Sequence, residues 1–345
     1  MLTEPDHEVF ELPGFRLERG AVLPTARLAY RTYGVLDERR SNAVLFPTWY
    51  AGTHHANEWL IGPGRPLDTE RYFVVVPNLF GNGLSSSPSN TPGPLGGSGF
   101  PEVEIRDNVR AQHRLLTERW GITDLQLVLG CSMGAAQTYQ WAASHPEMVR
   151  RALPFCGSSR TSPHNYVFLE GLKAALTADA DWQQGRYTRQ PAAGLRAFAR
   201  VYAGWGLSQA FYWEHHYREL GYASLEEFLS GFWEANFAGC DANDLLAMLW
   251  TWQHADIGAT PGFDGDLPRA LGAIRARTLS LPSQRDLYFP PEDEVWAGRY
   301  IPDGTVRTIP GIWGHLAGGG ADPAAAAFIG DAVRELLTTP WARAG

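Results

Sequence analysis

The serine within Gly130-Cys131-Ser132-Met133-Gly134 stands in a Gly-x-Ser-x-Gly pattern, which suits nucleophilic chemistry. Such a serine lies on a sharp turn from a strand into a helix, where the glycines let the backbone segments approach closely and the hydroxyl stands clear. The pattern alone is short and weak. Its context strengthens it, because the apolar run Leu125–Leu129 precedes it and a helical pattern begins at Ala135. We therefore predict that Ser132 is a nucleophile.

A serine nucleophile needs a general base, and the base needs a carboxylate that orients it. In enzymes built around such a turn, the acid and then the histidine follow the serine along the chain, each on a loop after a late strand. Asp286 follows the predicted strand Thr278–Pro282, and His315 follows the predicted strand Thr305–Pro310. We predict Asp286 as the acid and His315 as the base. Two nearby carboxylates are alternatives for the acid: Asp303 and Glu292.

Acyl transfer through a serine also needs two backbone N–H groups that stabilise the negative oxygen of the tetrahedral intermediate. One such donor is expected from Met133, the residue after the nucleophile. The other is expected from the loop Pro47–Gly52, which follows the predicted strand Ala43–Phe46, with Tyr50 as the best candidate. Each donor is typically worth about 10²–10³ in rate.

Short apolar or β-branched runs, bounded by turn-forming residues, predict the strands that must position these groups. They are Arg27–Tyr33, Ala43–Phe46, Phe73–Pro77, Leu125–Leu129, Ala152–Phe155, Thr278–Pro282 and Thr305–Pro310. Helical spacing predicts helices from Ile105 to Trp120, from Ala135 to His145 and from Pro323 to Leu337. Strands that alternate with helices indicate an α/β fold with a mostly parallel sheet and helices on its faces.

The strand signal disappears between the fifth and sixth predicted strands, and a helical, tryptophan-rich pattern replaces it. We interpret residues 162–275 as an inserted helical lid, and residues 1–161 and 276–345 together as the core domain. The tryptophans of the lid are more typical of its own core than of a ligand platform. A lid in this place leaves a pocket at the carboxyl ends of the strands, where open α/β sheets bind ligands.

Composition narrows the classes of partner. The net charge of −8, without a Lys/Arg run, argues against nucleic acid or a membrane surface. The acidic start Met1–Phe10 lacks the apolar stretch of a signal peptide, and three cysteines without metal-ligand spacing indicate buried thiols, so we expect a cytoplasmic protein. His54-His55 lacks the spacing of a zinc motif, so we expect no metal and interpret this pair as pocket lining.

Several strings together resemble the homoserine O-acetyltransferase family. They are Asn42-Ala43-Val44-Leu45, the run from Gly62 to Val74 that contains Asp68-Thr69-Glu70-Arg71-Tyr72-Phe73, Gly130-Cys131-Ser132-Met133-Gly134, Arg160-Thr161-Ser162, Asp286-Leu287-Tyr288-Phe289-Pro290-Pro291 and Gly314-His315. The resemblance implies an α/β-hydrolase fold with a helical lid, often a homodimer packed through lid helices. It also implies a ping-pong reaction in which Ser132 takes an acyl group from acyl-CoA and passes it to a hydroxyl.

The chain departs from this family at two places that concern the substrate. The family's His-Ala-Leu-Thr-Gly string is replaced by Thr48-Trp49-Tyr50-Ala51-Gly52. The arginine that grips the substrate carboxylate in the first lid helix corresponds to Lys173, which lacks the bidentate fork of arginine. The candidate substrate-binding residues are therefore Trp49, His54, Arg160 and Lys173.

These observations predict an enzyme that works through an acyl-Ser132 intermediate without a cofactor. Hydrolysis of an ester or thioester of a small acyl group is the favoured reaction, because the residues that would recognise homoserine have changed. The first alternative is an O-acyltransferase that uses acyl-CoA as co-substrate and an alcohol such as homoserine as acceptor. A carbon–carbon bond hydrolase and a non-catalytic binder of small molecules on the same fold are further alternatives.

Overall fold

Eight strands join in one sheet within residues 6–340, the part of the chain that this computed structural model describes. They are β1 (Glu8–Arg16), β2 (Val22–Tyr33), β3 (Ala43–Leu45), β4 (Phe73–Pro77), β5 (Leu127–Cys131), β6 (Arg151–Phe155), β7 (Arg277–Ser280) and β8 (Gly304–Val306). Their order across the sheet is β1-β2-β4-β3-β5-β6-β7-β8. The β1–β2 and β2–β4 pairs are antiparallel, and the later pairs are parallel.

The same part of the chain contains eleven α-helices. They are α1 (Ile105–Arg114), α2 (Met133–Ser144), α3 (Pro163–Thr177), α4 (Ala192–Gly206), α5 (Gln209–Trp213), α6 (Leu225–Phe228), α7 (Ala235–Ala238), α8 (Ala242–Gln253), α9 (Leu267–Gly272), α10 (Pro291–Gly298) and α11 (Pro323–Thr338). A π-helical turn extends α1 over Leu115–Arg119, and another joins α6 to α7 over Leu229–Glu234. No described helix is both long enough and apolar enough to cross a lipid bilayer.

The central strands are buried on both faces, which explains their uninterrupted apolar sequences. Every residue of β4, with the sequence FVVVP, is buried, and so is every residue of β5 and β6. Successive side chains point to opposite faces of a strand. Val75 therefore joins a core that includes residues of α1 and α2, whereas its neighbour Val74 joins a second core that includes Ile329 of α11. The sheet is thus covered by helices on both faces, as parallel sheets generally are.

The lid is a set of helices inserted between β6 and β7. Helices α3 to α9 fill residues 163–272, while every described strand lies at 8–155 or 277–306. Several lid helices begin at a Ser or Asp whose side chain accepts a backbone N–H three residues later, namely Ser162, Ser208, Ser224, Asp241 and Asp266. Such caps satisfy N–H groups that a helix start leaves free.

The lid is connected to the core by a narrow neck, which consists of two chain segments that pair with each other. Thr161 donates its N–H to the Ala255 carbonyl at 2.9 Å, and Ile257 donates to the Ser159 carbonyl at 3.1 Å. Between these bonds lies an antiparallel bridge from Arg160 to Asp256. The two chain segments that enter and leave the lid therefore hold each other at its base.

The α/β-hydrolase fold predicted from the sequence is confirmed, with differences at element boundaries. β1 was not predicted. The strand predicted at Leu125–Leu129 lies two residues later, because pairing with β6 continues to the Cys131–Phe155 pair and Leu125 makes only an isolated bridge. The last predicted strand is shortened to β8, and the helix predicted to Trp120 is α-helical only to Arg114.

Candidate active site

Ser132 lies on a strained turn between β5 and α2. Its backbone has φ 56° and ψ −122°, a conformation that non-glycine residues rarely adopt. A Cβ on Gly130 would lie 2.3 Å from the carbonyl carbon and oxygen of Gly134, and a Cβ on Gly134 would lie 2.9 Å from the Pro47 carbonyl oxygen. Side chains would therefore clash at both glycines. The turn therefore requires glycine at both ends of the Gly-x-Ser-x-Gly pattern, at Gly130 and at Gly134.

His315 and Asp286 form a buried pair on the loops that follow β8 and β7. The distance from His315 Nδ1 to Asp286 Oδ2 is 2.7 Å, and both residues are buried. The other carboxylate oxygen, Oδ1, accepts the backbone N–H groups of Tyr288 at 3.1 Å and Phe289 at 3.0 Å. These bonds fix the carboxylate and orient the imidazole. Because Nδ1 is occupied, Nε2 is the nitrogen left for proton transfer.

Ser132 and His315 line the same cavity, which has a volume of about 480 Å³. Within residues 6–340, no hydrogen bond joins the Ser132 hydroxyl to the imidazole. The structure thus brings Ser132 and His315 to one cavity, with Asp286 bonded to His315.

The cavity wall is mainly aromatic and apolar. Its core side comes from the loop after β3 and its other side from the lid and from the loop of Asp286. The lining includes Trp49, Tyr50, Ala51, Gly52, Thr53, His55, Ala56, Tyr202, Trp233, Asn236, Phe237, Tyr288 and Leu316. The lid members of this set were not identified from the sequence. An apolar aromatic pattern predicts burial, but it does not distinguish a cavity wall from a packed core.

Tyr50 and Met133 lie where the two backbone donors were expected. Tyr50 follows β3, and Met133 is the first residue of α2. No hydrogen bond among the described residues engages the backbone N–H of either residue. The Tyr50 side chain anchors its loop to the lid, because its hydroxyl donates to the Leu245 carbonyl at 3.0 Å. Burial raises the pKa of this phenol well above its usual value, so it stays neutral.

Of the four predicted substrate-binding residues, only Trp49 lines the cavity. The neighbour of His54, His55, lines it instead, whereas His54 is 1% exposed and lies behind it. Arg160 is engaged in the lid neck, where its Nε lies 2.9 Å from Asp256 Oδ2. Lys173 lies on the exposed side of α3, with its Nζ 3.5 Å from Glu170 Oε1.

These placements correct the sequence prediction for His54, Arg160 and Lys173. The prediction for Lys173 followed a motif position, but the inward side of α3 is formed by Leu169, Leu172 and Leu176, which are buried. Lys173 is three residues before Leu176 and four after Leu169, yet its side chain is 51% exposed, so it lies at the solvent edge of this face rather than in the cavity. A carboxylate in the cavity would find neither Arg160 nor Lys173.

One group of side chains near the cavity has a geometry that a metal ion could use. Ligand atoms of Asp6, His54 and His55 all lie within 4.8 Å of one another. However, Asn78 donates its amide N–H to His54 Nδ1 at 3.2 Å, and its amide oxygen accepts the His54 backbone N–H at 3.1 Å. The proton of a neutral His54 is therefore on Nε2, the nitrogen that faces Asp6. The group fits a metal poorly, and its chemistry suits an anion better.

Comparison with known proteins places these features in context. The family model described as alpha/beta hydrolase fold matches residues 44–216. An ethyl acetate hydrolase of Pseudomonas veronii is 42% identical over 98% of each chain. The solved acetyl esterase MekB has a TM-score of 0.94 and 41% identity, covering 96% of this chain and 97% of its own. A homoserine O-acetyltransferase of Trichormus variabilis is 30% identical, covering 90% of this chain and 89% of its own.

Proposed function

This chain belongs to the α/β-hydrolase fold family, in its homoserine O-acetyltransferase-like branch, and from that premise we propose that it hydrolyses carboxylic esters of small acyl groups through an acyl-Ser132 intermediate. The observation that carries the proposal is the His315–Asp286 pair at 2.7 Å, which shares one cavity with a serine on a strained turn. The similarity to ethyl acetate hydrolase and acetyl esterase supports the choice of ester substrates.

In the proposed mechanism, His315 Nε2 takes the proton of the Ser132 hydroxyl while the oxygen attacks the ester carbonyl. The Tyr50 and Met133 N–H groups donate to the resulting oxyanion. The intermediate collapses with loss of the alcohol, which takes the proton from His315. Water then attacks the acyl-serine while His315 takes one of its protons, and the acyl bond to Ser132 Oγ breaks as His315 returns that proton to the serine oxygen, which releases the carboxylic acid. Asp286 holds the imidazole in the required tautomer and stabilises its positive charge.

Hydrolysis is favoured over transfer from acyl-CoA by the charges around the cavity. A transferase must bind a polyanionic CoA near basic side chains. None of the described residues that line the cavity is Lys or Arg, and the basic groups there are the two histidines His55 and His315. The volume of about 480 Å³ and the aromatic wall suit a small ester.

The test compares acceptors for the acyl group on one preparation. The protein is incubated with ethyl acetate, and separately with acetyl-CoA and homoserine, and acetate and O-acetylhomoserine are quantified. We expect acetate from ethyl acetate, and we expect Ser132→Ala to lower turnover by about 10⁴-fold or more. Faster acetyl transfer to homoserine than to water would overturn the hydrolase proposal in favour of the acyltransferase.

We also infer that the protein forms a homodimer through its lid, as the family resemblance implies. Two lid helices expose large apolar side chains. Val167 of α3 is 65% exposed and Trp213 of α5 is 85% exposed. Exposed apolar groups of this size are typical of interaction surfaces when they cluster. A cytoplasmic location stays a prediction of the sequence.

A further inference from the structure

Beside the active-site cavity, three side chains converge on one oxygen of the Asp6 carboxylate. His55 Nε2 lies 2.5 Å from Asp6 Oδ2 and His54 Nε2 lies 3.4 Å from it, while Arg31 Nη1, which donates to the Asp6 backbone carbonyl, lies 3.8 Å from the same carboxylate oxygen. We call Arg31, His54 and His55 the carboxylate cradle. The cradle touches the cavity directly, because His55 lines the cavity and is also 55% exposed. The cradle therefore lies at the outer edge of the cavity.

His54 is a buried hydrogen-bond donor without a good partner. Asn78 is held in one orientation, since its oxygen accepts the His54 N–H and its amide donates to the Ala29 carbonyl at 3.3 Å. His54 Nδ1 must then accept from Asn78, and the ring proton lies on Nε2. This nitrogen is fully buried and forms no hydrogen bond, because the Asp6 oxygen at 3.4 Å is too distant. Burial lowers the pKa of His54, which keeps the ring neutral.

His55 is oriented from its other side by a second carboxylate. Its Nδ1 lies 3.1 Å from Glu58 Oε1, and the same oxygen accepts the Tyr33 hydroxyl at 2.8 Å. The ring thus presents Nε2 toward the cradle with Nδ1 already engaged. Because a neutral imidazole carries one N–H, the ring can donate to carboxylate oxygens on both sides only as the imidazolium, and the Arg31 guanidinium adds further positive charge.

Asp6 is an occupant of this cradle that another carboxylate could replace. It precedes β1, so it does not belong to the sheet, and its side chain is 46% exposed. Partial burial alone would raise its pKa, but the imidazoles of His54 and His55 that face Oδ2, together with His7 beside Oδ1, bring the pKa of Asp6 below its usual value. The aspartate is therefore ionised and occupies the cradle as an anion.

We propose that the cradle is a carboxylate-binding site at the edge of the active-site cavity, and that Asp6 fills it and so disfavours esters that carry a second, free carboxylate. This inference rests on the proposed ester hydrolysis. With Asp6 removed, the free carboxylate of a dicarboxylic acid monoester would take the place of the aspartate while its ester group reaches Ser132.

The test measures this selectivity with pairs of substrates that differ only in charge. The monoethyl esters of succinate, glutarate and adipate are each compared with the uncharged, methyl-terminated ethyl ester of the same length. For each length, the measured quantity is kcat/KM for the charged ester divided by kcat/KM for the uncharged one. We expect Asp6→Ala to raise this ratio by about tenfold for at least one length, because a charge-assisted hydrogen bond contributes an effect of about that size. Glu11→Ala, which removes an exposed acid from β1, should leave the ratio unchanged.

A second variant tests whether the cradle causes the increase in the ratio of kcat/KM for charged over uncharged esters. His55→Ala added to Asp6→Ala should return the ratio to its starting value. An unchanged ratio at all three lengths in Asp6→Ala, or a gain that survives His55→Ala, would overturn the inference.

Calorimetric binding separates this inference from the proposed function. In a Ser132→Ala background, which cannot turn over, the monoesters should bind about tenfold more tightly after Asp6→Ala. Equal affinity with and without Asp6 would overturn the inference even if the esters are hydrolysed. Tighter binding would support it even if the wild-type protein hydrolysed no ester.

Discussion

At the scale of single residues, the two oxygens of Asp286 have separate tasks. Oδ1 is held by the backbone N–H groups of residues 288 and 289, while Oδ2 faces His315. The first set of bonds fixes the carboxylate in the loop, and the second sets the tautomer of the imidazole. An amide in place of the carboxylate can keep the first set and spoil the second.

Asp286→Asn is therefore expected to lower kcat by about 10³–10⁴ with little change in thermal stability, because the imidazole would adopt the wrong tautomer. Steady-state hydrolysis of ethyl acetate and a thermal melt measure the two effects. Asp303→Asn is the matched control, since Asp303 pairs on the surface with Arg277 at 2.9 Å. A larger loss of activity in Asp303→Asn would show that the acid has been misassigned.

The sequence predicted that Ser132, Asp286 and His315 lie close together, because each belongs to a local pattern at the end of a strand, and their catalytic roles stay part of the proposal. The sequence was not sufficient for the residues around them. Lys173 was assigned by its motif position, yet its side chain is exposed and its Nζ lies near Glu170 rather than in the cavity. Asp6 and His55 were missed as partners because their contact joins segments about fifty residues apart, and no local pattern records such a contact.

At the scale of elements, the turn between β5 and α2 depends on close approach of the backbone. Gly130→Ala is expected to lower the free energy of unfolding by roughly 3 kcal/mol or more, because the new Cβ meets backbone at 2.3 Å and neither side can yield. Urea denaturation followed by tryptophan fluorescence measures the change.

Gly171→Ala is the control for that substitution. This glycine lies inside α3 with nothing within 4 Å of a new Cβ, so the change should stabilise the protein by about 0.5–1 kcal/mol. Equal effects of the two substitutions would contradict the account of the turn.

Helix α10 is attached to the core through a buried acid. The Tyr139 hydroxyl of α2 donates to Glu294 and also contacts the Ser280 hydroxyl of β7 at 2.7 Å. Burial raises the pKa of Glu294 to about 8, against hydrogen bonds from Tyr139 and Ser280 that lower it. The folded protein therefore keeps this proton over a pH range in which the unfolded chain, with a carboxyl pKa near 4.5, has lost it.

Protons bound more tightly by the folded state make stability fall as pH rises. For Glu294 the loss begins above the unfolded pKa near 4.5 and is complete near 8. Glu294→Gln removes the titrating carboxyl and with it this loss of stability. The free energy of unfolding of the variant, relative to that of the wild type, should therefore increase from pH 5 to pH 8 by up to about 4 kcal/mol. Denaturant unfolding at several pH values measures this. Glu292→Gln, at an exposed position of the same helix, should show no such trend.

The strands and helices of the core could be predicted well because their buried faces impose period and length. β1 was missed because only Leu12 and Phe15 of its nine residues are buried, three positions apart, so its sequence lacks the alternation that indicates a strand. The boundary of β5 was displaced because Gly130 and Cys131 look like a turn, although pairing with β6 continues through them. Pairing with a distant strand, rather than local propensity, decides such ends.

At the scale of the whole molecule, the sequence predicts a homodimer only through its resemblance to the homoserine O-acetyltransferase family. We expect light scattering to give twice the chain mass of 38.1 kDa at micromolar concentration. Trp213→Glu, which puts a charge on an exposed lid residue, should shift the equilibrium toward the monomer. Trp296→Glu, at a similarly apolar but core-domain position, is the control. A monomer in the wild type would contradict the dimer.

The neck at residues 159–161 and 255–257 has a consequence for how this molecule could change over evolution or in the laboratory. The segments at both ends of the insertion pair with each other before the first and last lid helices begin, and we call this paired part the stem of the lid. The lid could therefore be exchanged for the corresponding segment of a relative where its other contacts with the core, such as those of Tyr50 with Leu245 and of Asn165 with Tyr288, are kept. A graft made at this stem would exchange the lid side of the cavity wall as one unit and leave the core side unchanged.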